Sequence, residues 1–443
     1  MAQRTFTFSK PAPNSKFVSV KGIGNILFGC PSEIAKAVIR KNAFPDYTVL
    51  TLRTLRQGRN LIDVEFLFYV HLFLNKRDGK FCVICTRGQA KRVREIISEA
   101  LFGPSIKELM NSLVPDEVLS GENERREEIE SLYSRMQKIK GLRGRLTALM
   151  KQHLGFREIV KQVSAEFVSA PGISSKHAPR LAEAWVRAAM MHRECQYFSR
   201  LFKKSKKEVL GEMAFHVFDR NGSVQLRKGN QWLRITQSEP CYFELQTSSG
   251  KHTHVNMTEN EQVRISGSQR RKPFIPPEFG VTFIGAGTGF APEKLNTCSI
   301  IWASGTGIGV DMIAESVQFM RHLGISRGDV RYIMLTHTHS DHDAGLIQRI
   351  MAADKIKLLT SRVIFDSFLR KAEAVTCLPQ EELRKVVDFI ELAPGRTRRI
   401  PGLSGVSVKF DYSFHPIPTG RMKIFYQTKD GKKMSIAVSG DTL

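Results

Sequence analysis

The sequence predicts an α/β fold, because two separate stretches alternate strand-like runs with helical patterns. In the front stretch, apolar β-rich runs such as 25–30 and 80–86 alternate with a helical pattern at 89–101. A second stretch of this kind begins near residue 278. Between the two, the composition changes to long segments of charged and apolar residues with helical spacing. We therefore expect an α/β protein with a helical middle.

Shifts in composition divide the chain into six predicted parts. In chain order these are a flexible N-terminus (1–16), an α/β segment (17–114), a helical region (115–213), a small β-rich region (214–266), a linker (267–277) and a second α/β domain (278–443). The linker prediction depends on a run of small, basic and proline residues that includes Pro273 and Pro276.

Composition and charge limit the classes of partner. Of the 443 residues, 42% are hydrophobic and 25% charged, which predicts globular domains and excludes a disordered chain. No run approaches the roughly 18 apolar residues that a membrane span needs, so no membrane partner is predicted. The net charge is +24, and residues 1–273 hold +20 of it, with 46 basic and 26 acidic side chains. This excess favours RNA or another polyanion, and the alternative is a solvated basic face without a ligand.

The cysteine content bears on the cellular compartment. Seven cysteines are too few and too scattered for a disulfide framework, which indicates a reducing environment. The expected location is the cytoplasm. A mitochondrial or other organellar location is the alternative, because no acidic residue precedes Glu33 and the N-terminus is rich in Ser and Thr. The oligomeric state is not predicted.

A dense cluster of metal-binding residue types lies between a predicted strand and a predicted helix. Three histidines and an aspartate fall within six residues, at His337, His339, Asp341 and His342. Imidazole and carboxylate groups suit zinc, and a loop at the end of a strand can direct several of them to one point. The cluster therefore predicts a metal site, with a polar surface loop as the alternative.

These four residues resemble the H-x-H-x-D-H motif of the metallo-β-lactamase superfamily at every position. The resemblance extends from about Phe279 to the last residue, and it implies an αββα sandwich. It also implies two groups of metal ligands: His337, His339 and His415 for one ion, and Asp341 and His342 for a second, with Asp441 bridging both. The implied metal is zinc, as one or two ions, with manganese or iron as alternatives.

In that fold, two divalent ions that share a water lower its pKa and direct it at a scissile bond. Asp341 would then be the catalytic base or would orient the water. The superfamily's final histidine ligand lies some tens of residues beyond the Asp441 position, whereas the last residue here is Leu443. We therefore expect a sandwich that is incomplete at its C-terminal end. The second ion would have only Asp341, His342 and Asp441, which leaves the intrinsic activity open.

The front α/β segment can be aligned with the domain that holds the motif by placing Thr51 on Thr336. The four ligand positions then carry residues that do not form a metal site: Leu52, Thr54, Arg56 and Gln57. One interpretation is an internal duplication with a degenerate first copy, which resembles the long form of the tRNA 3′-processing endonuclease (tRNase Z). The other is a chance likeness, since any two strand-turn-helix units look alike.

The fold alone does not decide the substrate, since this superfamily cleaves lactams, lactones, thioesters, sulfate esters and phosphodiesters. The segments around His415 and Asp441 resemble its phosphodiesterase branch. The predicted function is a metal-dependent phosphodiesterase that uses a metal-activated hydroxide. The basic front half favours RNA as the substrate, whereas the local motif favours a cyclic nucleotide. The alternatives are a catalytically weak RNA-binding or assembly scaffold, and a lactonase or thioesterase.

Overall fold

The computed structural model describes residues 5–51, 63–74, 79–119, 121, 124–139, 142–152, 154–169, 173–258, 274–352 and 354–442. Within these ranges, each half of the chain contains a six-stranded and a four-stranded sheet. The strands of the front half are β1 Phe6–Ser9, β2 Lys16–Val20, β3 Gly24–Phe28, β4 Tyr47–Val49, β5 Phe81–Cys85, β6 Met213–Val217, β7 Ser223–Lys228, β8 Gln231–Glu239, β9 Tyr242–Thr247 and β10 His252–Asn256. The strands of the back half are β11 Phe279–Gly285, β12 Cys298–Ala303, β13 Thr306–Val310, β14 Tyr332–Met334, β15 Ile356–Thr360, β16 Val387–Glu391, β17 Thr397–Arg399, β18 Val406–Ser413, β19 Thr419–Gln427 and β20 Lys433–Val438.

The two six-stranded sheets have the same topology. Their strands follow chain order, from β1 to β6 and from β11 to β16. In both sheets the first two strand pairs are antiparallel and the last three are parallel. The four-stranded sheets, β7 to β10 and β17 to β20, are antiparallel throughout. Their apolar faces pack on the larger sheets, so the predicted α/β sandwich and its duplication are confirmed.

The alignment of Thr51 with Thr336 matches equivalent positions in the two sheets. Each threonine follows a leucine just after the fourth strand, counted from the antiparallel end of its sheet. The Leu50 amide donates to the Ile84 carbonyl at 2.9 Å, and the Leu335 amide makes the same bond to the next strand at 3.2 Å. The four front-half positions that align with the ligand positions of the motif lie outside the described residues: Leu52, Thr54, Arg56 and Gln57.

Helices cover the outer faces of the sheets and form the middle of the chain. Helix α3 begins after β5 and α13 begins after β15, each with a hydroxyl residue as its N-cap, Thr86 and Ser361. The helices are α1 Ile34–Lys41, α2 Val64–Phe73, α3 Arg87–Phe102, α4 Ile106–Leu113, α5 Arg125–Gln137, α6 Leu142–Lys151, α7 Phe156–Val168, α8 Ala178–Cys195, α9 Tyr197–Phe202, α10 Lys206–Leu210, α11 Ser316–His322, α12 Ser340–Met351, α13 Arg362–Thr376 and α14 Gln380–Val386.

Helices α4 to α10 lie between α3 and β6, so they interrupt the front half instead of following it. The apolar faces of α4 to α8 enclose a separate core around Trp185 and Phe167, both fully buried. The buried Val209 of α10 belongs to the main core instead. Beyond this insertion, β6 completes the front six-stranded sheet, and β7 to β10 form its four-stranded partner. The region predicted as a small β insert, 214–266, therefore contains the second layer of the front sandwich.

The first residues differ from the sequence expectation as well. The predicted flexible N-terminus, 1–16, includes β1, which pairs with β2 from Phe6↔Val20 to Ser9↔Phe17. Pairing with β2 satisfies the backbone groups on one side of this edge strand, whose side chains are largely exposed.

The two halves pack against each other through their helical layers, with α3 lying on α13. Buried residues of α1, α2 and α3 join the core of the back half in one continuous cluster. This arrangement brings the ends of α2 and α3 to the loop that follows β14. Among the described residues, every helix is too short or too polar to cross a bilayer.

Candidate metal centre

All six residues predicted as metal ligands meet at one edge of the back sandwich. His337 and His339 lie in the loop after β14, and Asp341 and His342 lie in the first turn of α12. The other two come from distant connections: His415 precedes β19, and Asp441 follows β20. The fold thus joins four neighbouring residues of the motif to two residues about 75 and 100 positions further along the chain.

Three imidazole nitrogens converge at the first candidate site. His337 Nε2 lies 3.0 Å from His339 Nδ1, and His415 Nε2 lies 3.3 Å from the same atom. A tetrahedral zinc ion with nitrogens at about 2.0–2.1 Å holds those nitrogens about 3.3 Å apart. The three side chains are buried, with 9% of their surface exposed or less. This donor set and its spacing fit a divalent metal ion.

The second candidate site lies beside the first. His342 Nε2 is 3.6 Å from Asp341 Oδ1 and 3.6 Å from Asp441 Oδ2. Asp441 Oδ2 is also 3.9 Å from His337 Nε2, so this carboxylate faces both sites. Its side chain is 49% exposed, which leaves the centre open to solvent on that side. The positions match the predicted bridging role of Asp441, which remains a prediction.

Asp311, at the end of β13, orients two of the histidines, His342 directly and His337 through Thr336. It accepts hydrogen bonds from the Thr336 amide at 2.8 Å and the Thr336 hydroxyl at 2.7 Å. The Thr336 oxygen lies 3.0 Å from His337 Nδ1, and His342 Nδ1 lies 3.0 Å from Asp311 Oδ2. With both Nδ1 atoms donating, the Nε2 atoms of His337 and His342 face the sites.

Burial and neighbouring charges set the protonation of the cluster. Burial lowers the pKa of His337 and of His339, and it lowers the pKa of His415 to about 3. Neutral imidazole is the form that binds metals, so the first site is deprotonated in advance. Burial also opposes the charging of His342, but Asp341 and Asp311 outweigh it and raise that pKa well above its usual value.

The front half makes hydrogen bonds with two residues of the motif loop, His339 and Ser340. His339 Nε2 lies 2.9 Å from the carbonyl oxygen of Ala100, in the last turn of α3. Glu65, in the first turn of α2, accepts hydrogen bonds from the Ser340 amide at 3.2 Å and the Ser340 hydroxyl at 2.7 Å. Lys371 of α13 pairs with Glu65 at 2.8 Å. The centre is therefore assembled at the boundary between the halves.

Sequence analysis did not identify Ala100, Glu65 or Lys371. A backbone carbonyl such as that of Ala100 leaves no trace in a sequence. Glu65 does have a detectable signal, because it is the only acidic or basic residue of the otherwise apolar helix α2 apart from His71. A carboxylate in such a helix must be buried, and a buried carboxylate needs a partner. The identity of the partner depends on packing between residues about 300 positions apart.

Comparison with known proteins is consistent with this geometry. Residues 279–416 match the family described as anti-Pycsar protein Apyc1. The cGMP-dependent 3′,5′-cGMP phosphodiesterase A of Dictyostelium discoideum is 38% identical over 178 residues, which are 40% of this chain and 20% of that protein. The cAMP/cGMP-dependent 3′,5′-cAMP/cGMP phosphodiesterase B of the same organism is 27% identical over 409 residues, 86% of this chain and 33% of that protein.

The solved structure of a long form RNase Z from yeast aligns with 97% of this chain, and the alignment includes 59% of the yeast chain, with 11% identity and a TM-score of 0.29. The sequence matches confirm the resemblance to metallo-β-lactamase-fold phosphodiesterases. The chain spans about a fifth and a third of the length of the two curated relatives.

Proposed function

We propose that this chain is a metal-dependent phosphodiesterase that opens the ring of a 3′,5′-cyclic nucleotide. The observation that carries the proposal is the convergence of three buried imidazoles, in which His337 Nε2 and His415 Nε2 lie 3.0 Å and 3.3 Å from His339 Nδ1. A second group of one imidazole and two carboxylates lies next to them. Such neighbouring donor groups suit hydrolysis at phosphorus, where charge develops on the attacking and the leaving oxygens.

Two relatives support a cyclic nucleotide as the substrate. Both are named as 3′,5′-cyclic nucleotide phosphodiesterases, and the alignment with the second extends over 86% of this chain, so it includes both halves. A cyclic nucleotide is also small enough to reach a centre whose open side is formed by one half-exposed carboxylate, Asp441.

The proposed roles of the residues follow from their positions. His337, His339 and His415 would hold one ion, and His342, Asp341 and Asp441 a second. When bound, such ions polarise the phosphate oxygens and acidify a water. The Asp341 carboxylate would orient that water and accept its proton. The oxygen added to phosphorus comes from the water, one ring P–O bond breaks, and the departing ribose oxygen takes up a proton to give a nucleoside monophosphate.

Zinc is the metal we propose for the site formed by His337, His339 and His415. Three neutral imidazoles in tetrahedral spacing are a donor set that zinc prefers, whereas the site with two carboxylates also suits manganese or iron. RNA is the second candidate substrate, because residues 1–273 carry a net charge of +20.

A panel of substrates separates these functions. The purified chain, loaded with zinc or manganese, would be incubated with 3′,5′-cGMP, 3′,5′-cAMP, bis-(p-nitrophenyl) phosphate, structured RNA, a lactone and a thioester. Hydrolysis of the cyclic nucleotides that is lost in His337→Ala and kept in His252→Ala supports the proposal, since His252 is an exposed residue of β10. Cleavage of RNA alone, of the carboxylic esters alone, or of nothing would overturn it.

A further inference from the structure

We propose that Glu65, which belongs to the half of the chain without the motif, is a positioning residue for the metal centre. It would act by fixing the backbone of the loop from His337 to His342. The inference rests on the proposed function only in that this loop binds metal. It assigns a role in building the site to the front half, for which the sequence alignment predicts no metal ligands of its own.

Glu65 caps the helix that carries two of the candidate ligands. Ser340 is the first residue of α12, and its amide is one of the donors that a helix leaves without an internal partner. The residue at the N-cap, His339, provides no side-chain cap. Glu65 accepts from this amide at 3.2 Å and from the Ser340 hydroxyl at 2.7 Å. A carboxylate at this end also interacts favourably with the helix dipole.

Lys371 links Glu65 to a second backbone position of the loop, the carbonyl of Thr338. Its Nζ lies 2.8 Å from Glu65 Oε2 and donates to the Thr338 carbonyl at 2.5 Å. Thr338 and Ser340 are the two positions of the motif that carry no candidate ligand. Both are held by one ion pair, so the side chains on either side of each are fixed in direction.

Burial makes this arrangement rigid. Glu65 and Lys371 are 0% and 1% exposed, and Asp343, 3.1 Å from Lys371, is 1% exposed. Charges in such surroundings are costly to separate, because no water can replace a lost partner. Replacing Glu65 by Gln leaves one acceptor oxygen where the Ser340 amide and hydroxyl now use two, but it leaves Lys371 paired with Asp343. Glu65 can therefore be replaced with less damage to the charge balance than Lys371.

The contact between His339 and Ala100 supports the same inference independently. It joins a candidate ligand to the C-terminal turn of α3, which leaves carbonyl groups without internal partners. Two ends of front-half helices thus meet the motif, one through a side chain and one through the backbone. Both contacts help to fix the position of the loop.

The test compares Glu65→Gln with the wild-type chain in two measurements. Asp366→Asn is the matched control. Asp366 is a buried carboxylate of α13 that contacts Ser112 and Arg384 and makes no hydrogen bond to the loop. Hydrogen–deuterium exchange of the metal-free chains would report on peptides that cover 335–345. Competition with a chelator would report zinc affinity.

We expect faster exchange in 335–345 and zinc affinity reduced about tenfold or more in Glu65→Gln, with both unchanged in Asp366→Asn. Exchange and affinity within twofold of wild type would overturn the inference. If Glu65→Gln does not fold, Ser340→Ala tests the same contact by deleting the hydroxyl that donates to Glu65 and accepts from Lys371, and unchanged exchange there would overturn it. A wild-type chain that binds no metal would instead contradict the proposed function, while the exchange comparison would still decide the role of Glu65.

Discussion

His339 Nε2 lies 2.9 Å from the carbonyl oxygen of Ala100, a residue 239 positions earlier in the chain. This bond leaves Nδ1 of His339 as the ring nitrogen with a free lone pair, and Nδ1 is the atom that faces His337 and His415. The direction of a candidate metal ligand is therefore set by a helix of the other half.

Gly103 ends that helix, and replacing it tests whether the position of α3 matters to the metal centre. Its φ is +59°, and a Cβ there would lie 2.7 Å from Cys195 Sγ. Gly103→Ala should destabilise the chain by about 1–3 kcal/mol and weaken metal binding, because the end of α3 must move. Gly144→Ala is the control, since a Cβ at this exposed helical position meets no atom within 4 Å. Thermal unfolding and chelator competition measure both effects. Equal stability and affinity in the two variants would contradict the argument.

Metal content should differ between the two candidate sites. We predict one tightly held divalent ion per chain at His337, His339 and His415, and a second ion held more weakly, because Asp441 is half exposed. Mass spectrometry of the metal after dialysis against increasing chelator concentrations measures this. His337→Ala should lose the tight ion, whereas His252→Ala should keep it. Two ions of equal affinity would contradict the prediction.

Asp311→Asn should weaken metal binding without altering the backbone. Asp311 has a φ of 48°, a left-handed conformation that asparagine also adopts readily. An amide in place of Oδ2 cannot accept from both the Thr336 hydroxyl and His342 Nδ1. We expect about 10- to 100-fold weaker zinc binding, measured by competition with a chelator. The exposed Asp388→Asn serves as the control, and equal affinities in both variants would refute the role given to Asp311.

The pH dependence of stability should change in Asp63→Asn. Burial, and then the nearby charge of Glu65, raise the pKa of Asp63 to about 8 in the folded chain. In the unfolded chain a carboxyl of this type ionises near about 3.9, so the folded state loses stability as the pH rises from about 4 to about 8. Asparagine does not ionise and avoids this loss.

The difference in thermal midpoint between Asp63→Asn and the wild type should therefore grow in favour of the variant between pH 5 and pH 8.5. The measurement uses metal-free protein, because a bound ion would alter the local charge. Asp388→Asn, at an exposed position of β16, should show no such trend. A difference that stays constant with pH would contradict the raised pKa of Asp63.

Local patterns in the sequence were sufficient to predict the back sandwich and the residues of its loop. His337, His339, Asp341 and His342 lie within six residues, directly between a strand and a helix, so their proximity needs no tertiary information. The equivalence of Thr51 and Thr336 was also visible, because each follows a short apolar strand.

The rest depends on contacts that a local pattern does not contain. The second layer of the front sandwich was not assigned to it, since the inserted helices α4 to α10 separate β5 from β6 by more than 100 residues. Glu65 and Lys371 lie about 300 positions apart, and only the packing of α2 and α3 on the back half joins them. Their role in positioning the loop could be inferred only from the folded chain.

The most direct test of the account is to follow hydrolysis of 3′,5′-cGMP and 3′,5′-cAMP while zinc or manganese is added stepwise to chelator-treated protein. We predict no hydrolysis without metal, a rate that rises with metal occupancy, and recovery in His252→Ala but not in His337→Ala. Hydrolysis that persists in the metal-free chain, or that is undiminished in His337→Ala, would contradict the assignment of the reaction to this centre.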